Sequence, residues 1–246
     1  MSPLNKTASL VIFAKTPNLG TVKSRMQPWL TETQCLQLHI YLLRHAIAQV
    51  KEFKYPSLER ALFLTSYQNG ILQELTKWTG KARFSVHCQK GLDLGERLAE
   101  AVELKFRQGF RKVVIIGTDC PLIGQREFRL ALAALNQHEV VLGPAEDGGY
   151  CLIGFSAPKK FLFRGIHWGT GNVLQETIAL LNAHSVSWLK LHSSIDLDTF
   201  QDLKNFQARV GNPAVPNKGK NFDELHKLIG QLVEKSNDPR KGDLGP

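Results

Sequence analysis

The stretch SLVIFAKTPNLGTVKSRM, residues 9–26, joins a short apolar run to a loop that is rich in cations. Its beginning, SLVIFA, has the length and composition of a buried β-strand, and turn residues follow it. The loop then supplies Lys15, Lys23 and Arg25 around a single glycine, Gly20. In α/β sheets, ligands bind in the loops at the carboxyl ends of the strands. The stretch therefore predicts a buried strand and a candidate anion-binding loop.

Five more short apolar runs follow along the chain, and helical patterns lie between them. The first helical pattern begins with a capping box of Thr31 and Gln34, and two others cover residues 94–107 and 127–136. This alternation predicts a doubly wound α/β sheet. The other predicted strands are ALFLT (61–65), RFSVHC (83–88), KVVIIG (112–117), EVVLG (139–143) and CLIGF (151–155).

The composition is that of a globular chain, with 246 residues, 43% hydrophobic and 22% charged. Its formal net charge of +9 is compatible with nucleic acid, an anionic membrane surface or a small anionic substrate. The cations are scattered and do not alternate with aromatic residues, so we expect no nucleic-acid partner. No apolar stretch is long enough for a membrane helix, so we expect no membrane partner either.

The four cysteines, Cys35, Cys88, Cys120 and Cys151, are far apart and have no histidine at metal-ligand spacing. This pattern argues against a zinc site. Free thiols beside apolar runs fit a reducing compartment, and the first residues lack the pattern of a signal peptide. We therefore predict a cytoplasmic protein.

The character of the chain changes near Gly211, where proline, glycine and asparagine become frequent. We predict one domain over residues 1–210. Residues 211–246 are expected to form a linker, a weak helix at Phe222–Glu234 and a flexible tail.

The first loop does not match the two common glycine-rich nucleotide motifs, the P-loop and the dinucleotide fingerprint. It nevertheless contains Gly20, which allows close backbone approach, and then Lys23, Ser24 and Arg25. Cations, a hydroxyl group and free backbone amides are the components of an anion-binding site. A solvated basic turn is the alternative interpretation.

In IIGTDCP, residues 115–121, an apolar strand leads directly to Asp119. A carboxylate at the end of a buried strand is costly unless it is exposed, paired or bound to a cation. Mg²⁺ is commonly held by one or two carboxylates together with phosphate oxygens, so Asp119 is a candidate ligand. The alternative is an N-cap for the helix that follows Pro121.

In GPAEDGGYCLIG, residues 143–154, Asp147 precedes Gly148 and Gly149, where the backbone bends tightly and a ligand approaches closely. With Tyr150 these residues predict one wall of a substrate site. A hairpin turn at Asp147 and Gly148 is the alternative.

In SIDLDTFQDL, residues 194–203, Asp196 and Asp198 point to opposite faces if the stretch is extended. Only one of them is therefore expected to face the site. Thr199 and Asp202 predict the cap of a following helix, which leaves Asp198 without a structural explanation.

Six stretches resemble, in order and spacing, the DUF2064 family, which is also described as transferase 1 of the radical-SAM and selenodomain-associated kind. The resemblance extends from about Leu10 to Phe206, and GPAEDGGY and FAKTPxxGxVKSR are its most specific motifs. The stretches are FAKTPNLGTVKSRM (13–26), QKGLDLGERLAEA (89–101), IIGTDCP (115–121), GPAEDGGYCLIG (143–154), HWGTGNVLQET (167–177) and DLDTFQDL (196–203).

The resemblance implies the GT-A fold of nucleotide-diphospho-sugar transferases, a three-layer α/β/α sandwich with a mixed, mostly parallel Rossmann-like sheet. The stretch VKSRMQPWLT is also distantly similar to phospholactate guanylyltransferases. Two departures from the family pattern stand out. Family members often have GDDCP where this chain has Gly117, Thr118 and Asp119, so the acidic motif is incomplete, and Phe200 with Gln201 replaces a usual Pro-Glu pair.

Residues and resemblance together predict nucleotidyl transfer from a nucleoside triphosphate to a small phosphorylated acceptor, with Mg²⁺ (or Mn²⁺) as cofactor. Asp119 and Asp198 are the predicted metal ligands, the latter by analogy with related nucleotidyltransferases. Predicted catalytic residues are Lys23, Arg25, Asp119 and Asp147; predicted binding residues are Lys15, Gly20, Lys23, Ser24, Arg25, Gly95, Gly148, Gly149 and Tyr150.

Two other functions stay open at this point. A GT-A glycosyltransferase would hold a nucleotide diphosphate sugar in the same loop and break the bond at the sugar carbon. A non-catalytic nucleotide-binding protein is the alternative from another class. A homodimer is compatible with each of these functions.

Overall fold

The computed structural model describes residues 7–67, 70–210 and 220–236. Its centre is a seven-stranded sheet with the strand order β3-β2-β1-β4-β6-β5-β7. The strands are β1 (Ala8–Ala14), β2 (Leu58–Leu64), β3 (Phe84–Cys88), β4 (Lys112–Ile116), β5 (Val140–Pro144), β6 (Tyr150–Phe155) and β7 (Trp188–Lys190).

The sheet is mixed and mostly parallel, as expected. Strand β6 is antiparallel to both β4 and β5, whereas the other neighbouring pairs are parallel. The carboxyl ends of β1 to β5 and β7 therefore lie at one edge of the sheet, and β6 begins there. All six predicted strands are confirmed to within a few residues, and β7 is an additional short edge strand.

Seven α-helices complete the described chain. Residues 94–107 form a helix with the predicted bounds, and Asp93 caps it by accepting a hydrogen bond from the Glu96 amide at 2.8 Å. The helices are α1 (Glu32–Glu52), α2 (Ile71–Thr79), α3 (Leu94–Arg107), α4 (Gln125–Ala134), α5 (Val173–Ala183), α6 (Phe200–Val210) and α7 (Lys220–Ser236). Two short 3-10 helices lie at Ser24–Met26 and Lys160–Phe163.

The chain divides into two compact units. Among the described residues, the first unit comprises 7–16 and 46–196, except 68–69, and it contains the whole sheet. The second unit comprises 17–45, 197–210 and 220–236. Helix α1 belongs to both units, with residues 32–45 in the second and 46–52 in the first.

The core of the first unit follows the alternation of the strands. Alternate side chains of β1, β2, β4, β5 and β6 form one apolar cluster with the inward face of α3. On the other face of the sheet, Leu135 at the end of α4 packs beside Val114 and Val141. Helices thus cover both faces, as the predicted three-layer sandwich requires.

Helix α7 differs from the expected weak helix. Its apolar face is buried, with Leu225 and Ile229 both 0% exposed, and the rings of Phe206 and Phe222 meet edge to face at 6.0 Å. Burial of an amphipathic face provides most of the stability of such a helix. The predicted linker and terminal tail, residues 211–219 and 237–246, lie outside the described residues.

A buried lysine joins three elements of the first unit. Lys105 of α3 is 0% exposed, and its Nζ lies 3.0 Å from Glu59 Oε1 and 2.9 Å from His87 Nε2. Glu59 also accepts hydrogen bonds from Ser9 at 2.6 Å and Ser85 at 2.7 Å. Burial alone would raise the pKa of Glu59, but these hydrogen bonds and the charge of Lys105 lower it overall. The group is therefore a paired buried charge rather than an isolated one.

We expect the free energy of unfolding to decrease as pH is lowered, partly because of His87, which faces Lys105 and Glu59. Burial and then the charge of Lys105 lower the pKa of His87, with a smaller opposing effect of Glu59. His87 therefore binds a proton less readily in the folded state than in the unfolded state. Its contribution to the free energy of unfolding is complete above the unfolded pKa of 6.5 and is lost as pH falls below that value. Urea unfolding between pH 7.5 and 5.5 should show a smaller loss for His87→Gln than for the wild type. Equal losses would contradict this assignment.

Candidate functional site

The first predicted loop lies in the second unit, and Lys23 fixes its conformation. Lys23 has φ 53° and ψ 35°, a left-handed conformation that is unusual for a residue with a side chain. The side chain is buried, and its Nζ donates a hydrogen bond to the Leu197 carbonyl at 2.6 Å. Lys23 thus joins the loop to the segment that precedes α6. Its predicted role at a phosphate group stays a prediction.

Arg25 provides an accessible cation in this loop. Its guanidinium side chain is 60% exposed and forms an ion pair with Asp198 at 2.9 Å. An exposed pair of this kind contributes about 1 kcal/mol or less to stability, so a ligand anion competes with it at little cost. Ser24 is also exposed, whereas Gly20 turns the loop with φ 75° beside Glu32.

Asp198 is held in place by the predicted cap of α6. The Asp202 carboxylate accepts hydrogen bonds from the amides of Asp198 at 3.1 Å and Thr199 at 2.6 Å, and the Thr199 hydroxyl accepts one from the Asp202 amide at 3.3 Å. This confirms the interpretation of Thr199 and Asp202 as a helix cap. The second unit therefore brings Lys23, Arg25 and Asp198 together.

The remaining predicted residues lie at one edge of the sheet in the first unit. Lys15 follows β1 and is exposed, and the loops after β4 and β5 begin at the same edge. Gln89, which the sequence analysis did not identify, donates hydrogen bonds there to the carbonyls of Ala14 at 2.9 Å and Phe63 at 3.1 Å. The side chain of Gln89 thus ties the ends of β1 and β2 to the loop that follows β3.

Asp119 is not the cap of a helix. Helix α4 begins after Gly124, whose amide donates to the Glu127 carboxylate at 2.9 Å, so the N-cap alternative for Asp119 is wrong. Asp119 is half-buried, with the Thr118 hydroxyl 3.4 Å from its Oδ1. Its position after β4 agrees with a role in binding a ligand.

Two carboxylates of the first unit, Asp119 and Asp196, both influence the pKa of Cys120. Burial raises the pKa of the Cys120 thiol, and Cys151 and then the charges of Asp196 and Asp119 raise it further. Both carboxylates therefore act electrostatically on Cys120, which stays a protonated, unreactive thiol. Asp196 was not chosen from the sequence, because alternation alone did not distinguish it from Asp198.

Asp119 and Asp196 are carboxylates, the type of side chain that binds divalent cations. Within residues 7–67, 70–210 and 220–236, no group of three or more His, Cys, Asp and Glu side chains is arranged to hold a metal. Mg²⁺ commonly takes only one or two carboxylates where substrate phosphates and water complete its shell, and the role of Asp119 as a ligand stays a prediction. The role of Asp198 as a ligand likewise stays a prediction.

The GPAEDGGY segment forms the hairpin between β5 and β6. The Ala145 amide donates to the Gly149 carbonyl at 3.0 Å, and the Gly149 amide donates to Asp147 Oδ1 at 2.8 Å. The backbone therefore confirms the alternative interpretation of this segment as a hairpin turn. Asp147 is exposed at its tip, and the roles of Asp147, Gly148 and Gly149 toward a substrate stay predictions.

Gly148 cannot accommodate a side chain without distortion. It has φ 89°, and a Cβ built on it would lie 2.1 Å from the Gly171 carbonyl oxygen. We expect Gly148→Ala to lower the free energy of unfolding by about 2 kcal/mol or more. Gly165→Ala is the matched control, because Gly165 has φ 69° but nothing within 4 Å of its would-be Cβ. Urea unfolding that gave equal losses for the two variants would refute the steric argument.

Tyr150 begins β6 directly after this hairpin, and its predicted place in a substrate wall stays a prediction. Its hydroxyl is buried, and burial raises its pKa well above the ordinary value, against a smaller opposing effect of Thr177. The hydroxyl makes no hydrogen bond of normal geometry with any described residue, and the Tyr150 ring meets Trp168 edge to face at 6.3 Å. The raised pKa keeps the Tyr150 hydroxyl protonated near neutral pH.

The loop before α5 packs against Tyr150 and the start of α3 through Trp168. Glu176 accepts hydrogen bonds at 2.8 Å from both the amide and Nδ1 of His167, and these lower the pKa of Glu176. Gly95 packs against this region, since a Cβ there would lie 2.6 Å from the Trp168 indole nitrogen. Gly95 also lines a cleft of about 540 Å³ between the start of α3 and residues 160–168.

The sequence of residues 33–170, more than half of the chain, matches the family described as "Uncharacterized protein conserved in bacteria (DUF2064)". The chain belongs to the DUF2064 family. This match includes the loops at Asp119 and at Asp147, whereas the loops at Arg25 and Asp198 lie outside it. No curated protein matches the chain significantly.

Solved structures share this fold. A protein from Desulfovibrio desulfuricans G20, provisionally named as a nucleotide-diphospho-sugar transferase, is similar over 92% of this chain and 97% of its own, with 26% identity and a TM-score of 0.79. A cytidylyltransferase from Leptospira borgpetersenii (14% identity, 94% and 97% covered, TM-score 0.52) and a 4-diphosphocytidyl-2C-methyl-D-erythritol synthase from Anaerococcus prevotii (12%, 85% and 97%, 0.55) share the fold alone. Among the described helices, none has the length and apolarity to span a membrane.

Proposed function

We propose that this DUF2064 chain is a divalent-cation-dependent transferase that acts on a nucleotide-activated substrate. The specific reaction is nucleotidyl transfer from a nucleoside triphosphate to a small phosphorylated acceptor. An oxygen of the acceptor phosphate attacks the α-phosphorus, the bond from that phosphorus to the bridging oxygen of the β-phosphate breaks, and pyrophosphate leaves. Such chemistry depends on positioning and charge stabilisation rather than on covalent catalysis.

The observation that carries the proposal is the exposed guanidinium of Arg25 on an anchored loop. The loop is held at Lys23 by the Leu197 carbonyl, and the 60%-exposed Arg25 side chain forms an ion pair with Asp198 at 2.9 Å. Arginine binds phosphate oxygens in a fork geometry, and a fixed loop orients this fork. We assign the binding and orientation of the triphosphate to Arg25, and we propose that Lys15 and Lys23 add positive charge for its phosphates.

Asp119 is the proposed ligand of Mg²⁺ or Mn²⁺, and Asp196 and Asp198 are the candidates for the second carboxylate. When bound, the cation would neutralise charge that develops on the phosphate oxygens. Asp119 follows β4, a strand whose last four residues are buried. Asp147, at the tip of the hairpin, is proposed to orient the acceptor.

A glycosyltransferase is the second candidate, and the similarity to the D. desulfuricans protein favours it. It would use the same cations to hold the diphosphate of a nucleotide sugar. The missing second acid of the usual DxD motif, at Gly117 and Thr118, counts against it. A non-catalytic nucleotide-binding protein would bind the same ligands without turnover.

Ligand binding tests the proposal. Thermal shift and calorimetric titration with each nucleoside triphosphate and with nucleotide diphosphate sugars, with and without Mg²⁺, should show cation-dependent binding of a triphosphate. Arg25→Gln should weaken this binding about tenfold or more, because a charge-assisted bidentate contact is lost. Tighter binding of a nucleotide sugar than of any triphosphate would favour the glycosyltransferase.

A further inference from the structure

The second unit exposes an aromatic pair beside Arg25 and Asp198. Trp29 is 53% exposed, although its indole is stacked on the ring of Phe200 with centroids 5.8 Å apart and planes within 9°. Phe200 is buried at 5% exposure, and Lys204 Nζ lies 5.0 Å from its ring centroid. The indole is therefore a flat, partly exposed surface on a fixed support.

The backbone on both sides holds Trp29 at the surface. The amides of Trp29 and Leu30 both donate to the Met26 carbonyl at 2.9 Å. Met26 is 0% exposed and Leu30 is 1% exposed, so these neighbours anchor the segment in the core of the unit. Because the segment is anchored, exposure of the indole is a property of the fold rather than of a mobile side chain.

The Trp29–Phe200 pair and the Arg25–Asp198 pair lie on the same two segments of the chain. Arg25 contacts Asp198, and Trp29 stacks on Phe200 only two residues later. Two residues span at most about 7 Å of chain, so the contact partners of the guanidinium and the indole, Asp198 and Phe200, are close neighbours in the same segment. A ligand with phosphates at one end and a planar ring at the other matches this arrangement.

We propose that the base of the nucleoside triphosphate stacks on Trp29 while Arg25 holds its phosphates. This inference rests on the proposed function, because it takes Arg25 as the phosphate ligand. Stacking uses the π-face that every base presents, so it contributes affinity without strict choice among bases. The larger ring system of a purine covers more of the indole, so ATP and GTP should bind more tightly than CTP and UTP.

Calorimetric titration of Trp29→Ala, Trp29→Phe and Leu19→Ala, in the full chain with Mg²⁺, tests this inference. Leu19 is the matched control, because it is 55% exposed in the same loop. Trp29→Ala should weaken the binding of each nucleoside triphosphate about 5- to 150-fold, and Trp29→Phe should weaken it less. Binding of inorganic tripolyphosphate should be unchanged in all three variants, because it has no base.

Fluorescence provides an independent readout, and it remains decisive if Trp29→Ala fails to fold. A nucleotide should quench wild-type tryptophan fluorescence, and this quenching should disappear in Trp29→Phe although calorimetry still shows binding. If nucleoside triphosphates bind equally to the wild type and both Trp29 variants, the inference is overturned and the proposed function stands. If the wild type binds tripolyphosphate but no nucleotide, both are overturned.

Discussion

Asp119→Asn is expected to lower the transferase rate about 100-fold or more at saturating Mg²⁺. Asparagine has nearly the same shape but lacks the charge that a hard divalent cation requires. The cation provides several kcal/mol of charge stabilisation in phosphoryl and nucleotidyl transfer, so weaker cation binding reduces the rate by orders of magnitude. Initial rates at several Mg²⁺ concentrations would show the loss and its partial recovery at high Mg²⁺.

Glu74→Gln is the control for this substitution. Glu74 is an exposed acid of α2 whose partner is Lys77 at 2.6 Å, so its loss should change neither activity nor stability appreciably. The thermal midpoint of Asp119→Asn should stay close to that of the wild type, because Asp119 caps no helix. Unchanged cation-dependent nucleotide binding in Asp119→Asn would show that the site assignment is wrong.

Lys105→Met should lower the free energy of unfolding by about 3–5 kcal/mol. The substitution keeps much of the side-chain volume but leaves Glu59 without the cation that lies 3.0 Å away. His87 Nε2 also loses its hydrogen-bond donor. A loss of this size is a large part of the 5–15 kcal/mol that stabilises a typical domain. Urea unfolding followed by circular dichroism measures it.

Two further variants isolate the buried pair. Arg107→Met, also on α3, removes an exposed cation at 61% side-chain exposure and should cost less than about 1 kcal/mol. The double variant Glu59→Gln with Lys105→Met should lose less free energy of unfolding than the sum of the two single variants. The reason is that Glu59→Gln removes the charge that Lys105→Met leaves uncompensated. A fully additive double variant would contradict a direct Lys105–Glu59 interaction.

The sheet was largely predictable because its strands are uninterrupted apolar runs closed by turn residues. Helix α3 was predicted with its bounds, since the apolar spacing and the Asp93 cap agree. Strand β7 was missed because it has only three residues, two of them exposed, and therefore no run to recognise. The tight connection between Pro144 and Tyr150 is too short for a parallel crossover, so the sequence did contain the signal for the hairpin.

The site was predictable in its loops but less so in its pairings. Asp119 and Asp147 were predicted from their positions after strands, and the topology brings those two loops to one edge. The contact of Lys23 with the Leu197 carbonyl spans 174 residues, and no local pattern encodes such a contact. The surface position of Trp29 was not predictable, because a single tryptophan in a loop has no periodic signal and its exposure depends on Met26 and Leu30 being buried.

The most direct test of the central claim is the fate of a labelled nucleotide. The protein is incubated with Mg²⁺, a set of small phosphomonoesters and a nucleoside triphosphate labelled at the α-phosphorus, and the products are separated. The account predicts that the label moves to the acceptor and that one pyrophosphate is released for each transfer, with neither event in Asp119→Asn. Release of a nucleoside diphosphate from a nucleotide sugar, with no pyrophosphate from any triphosphate, would contradict it.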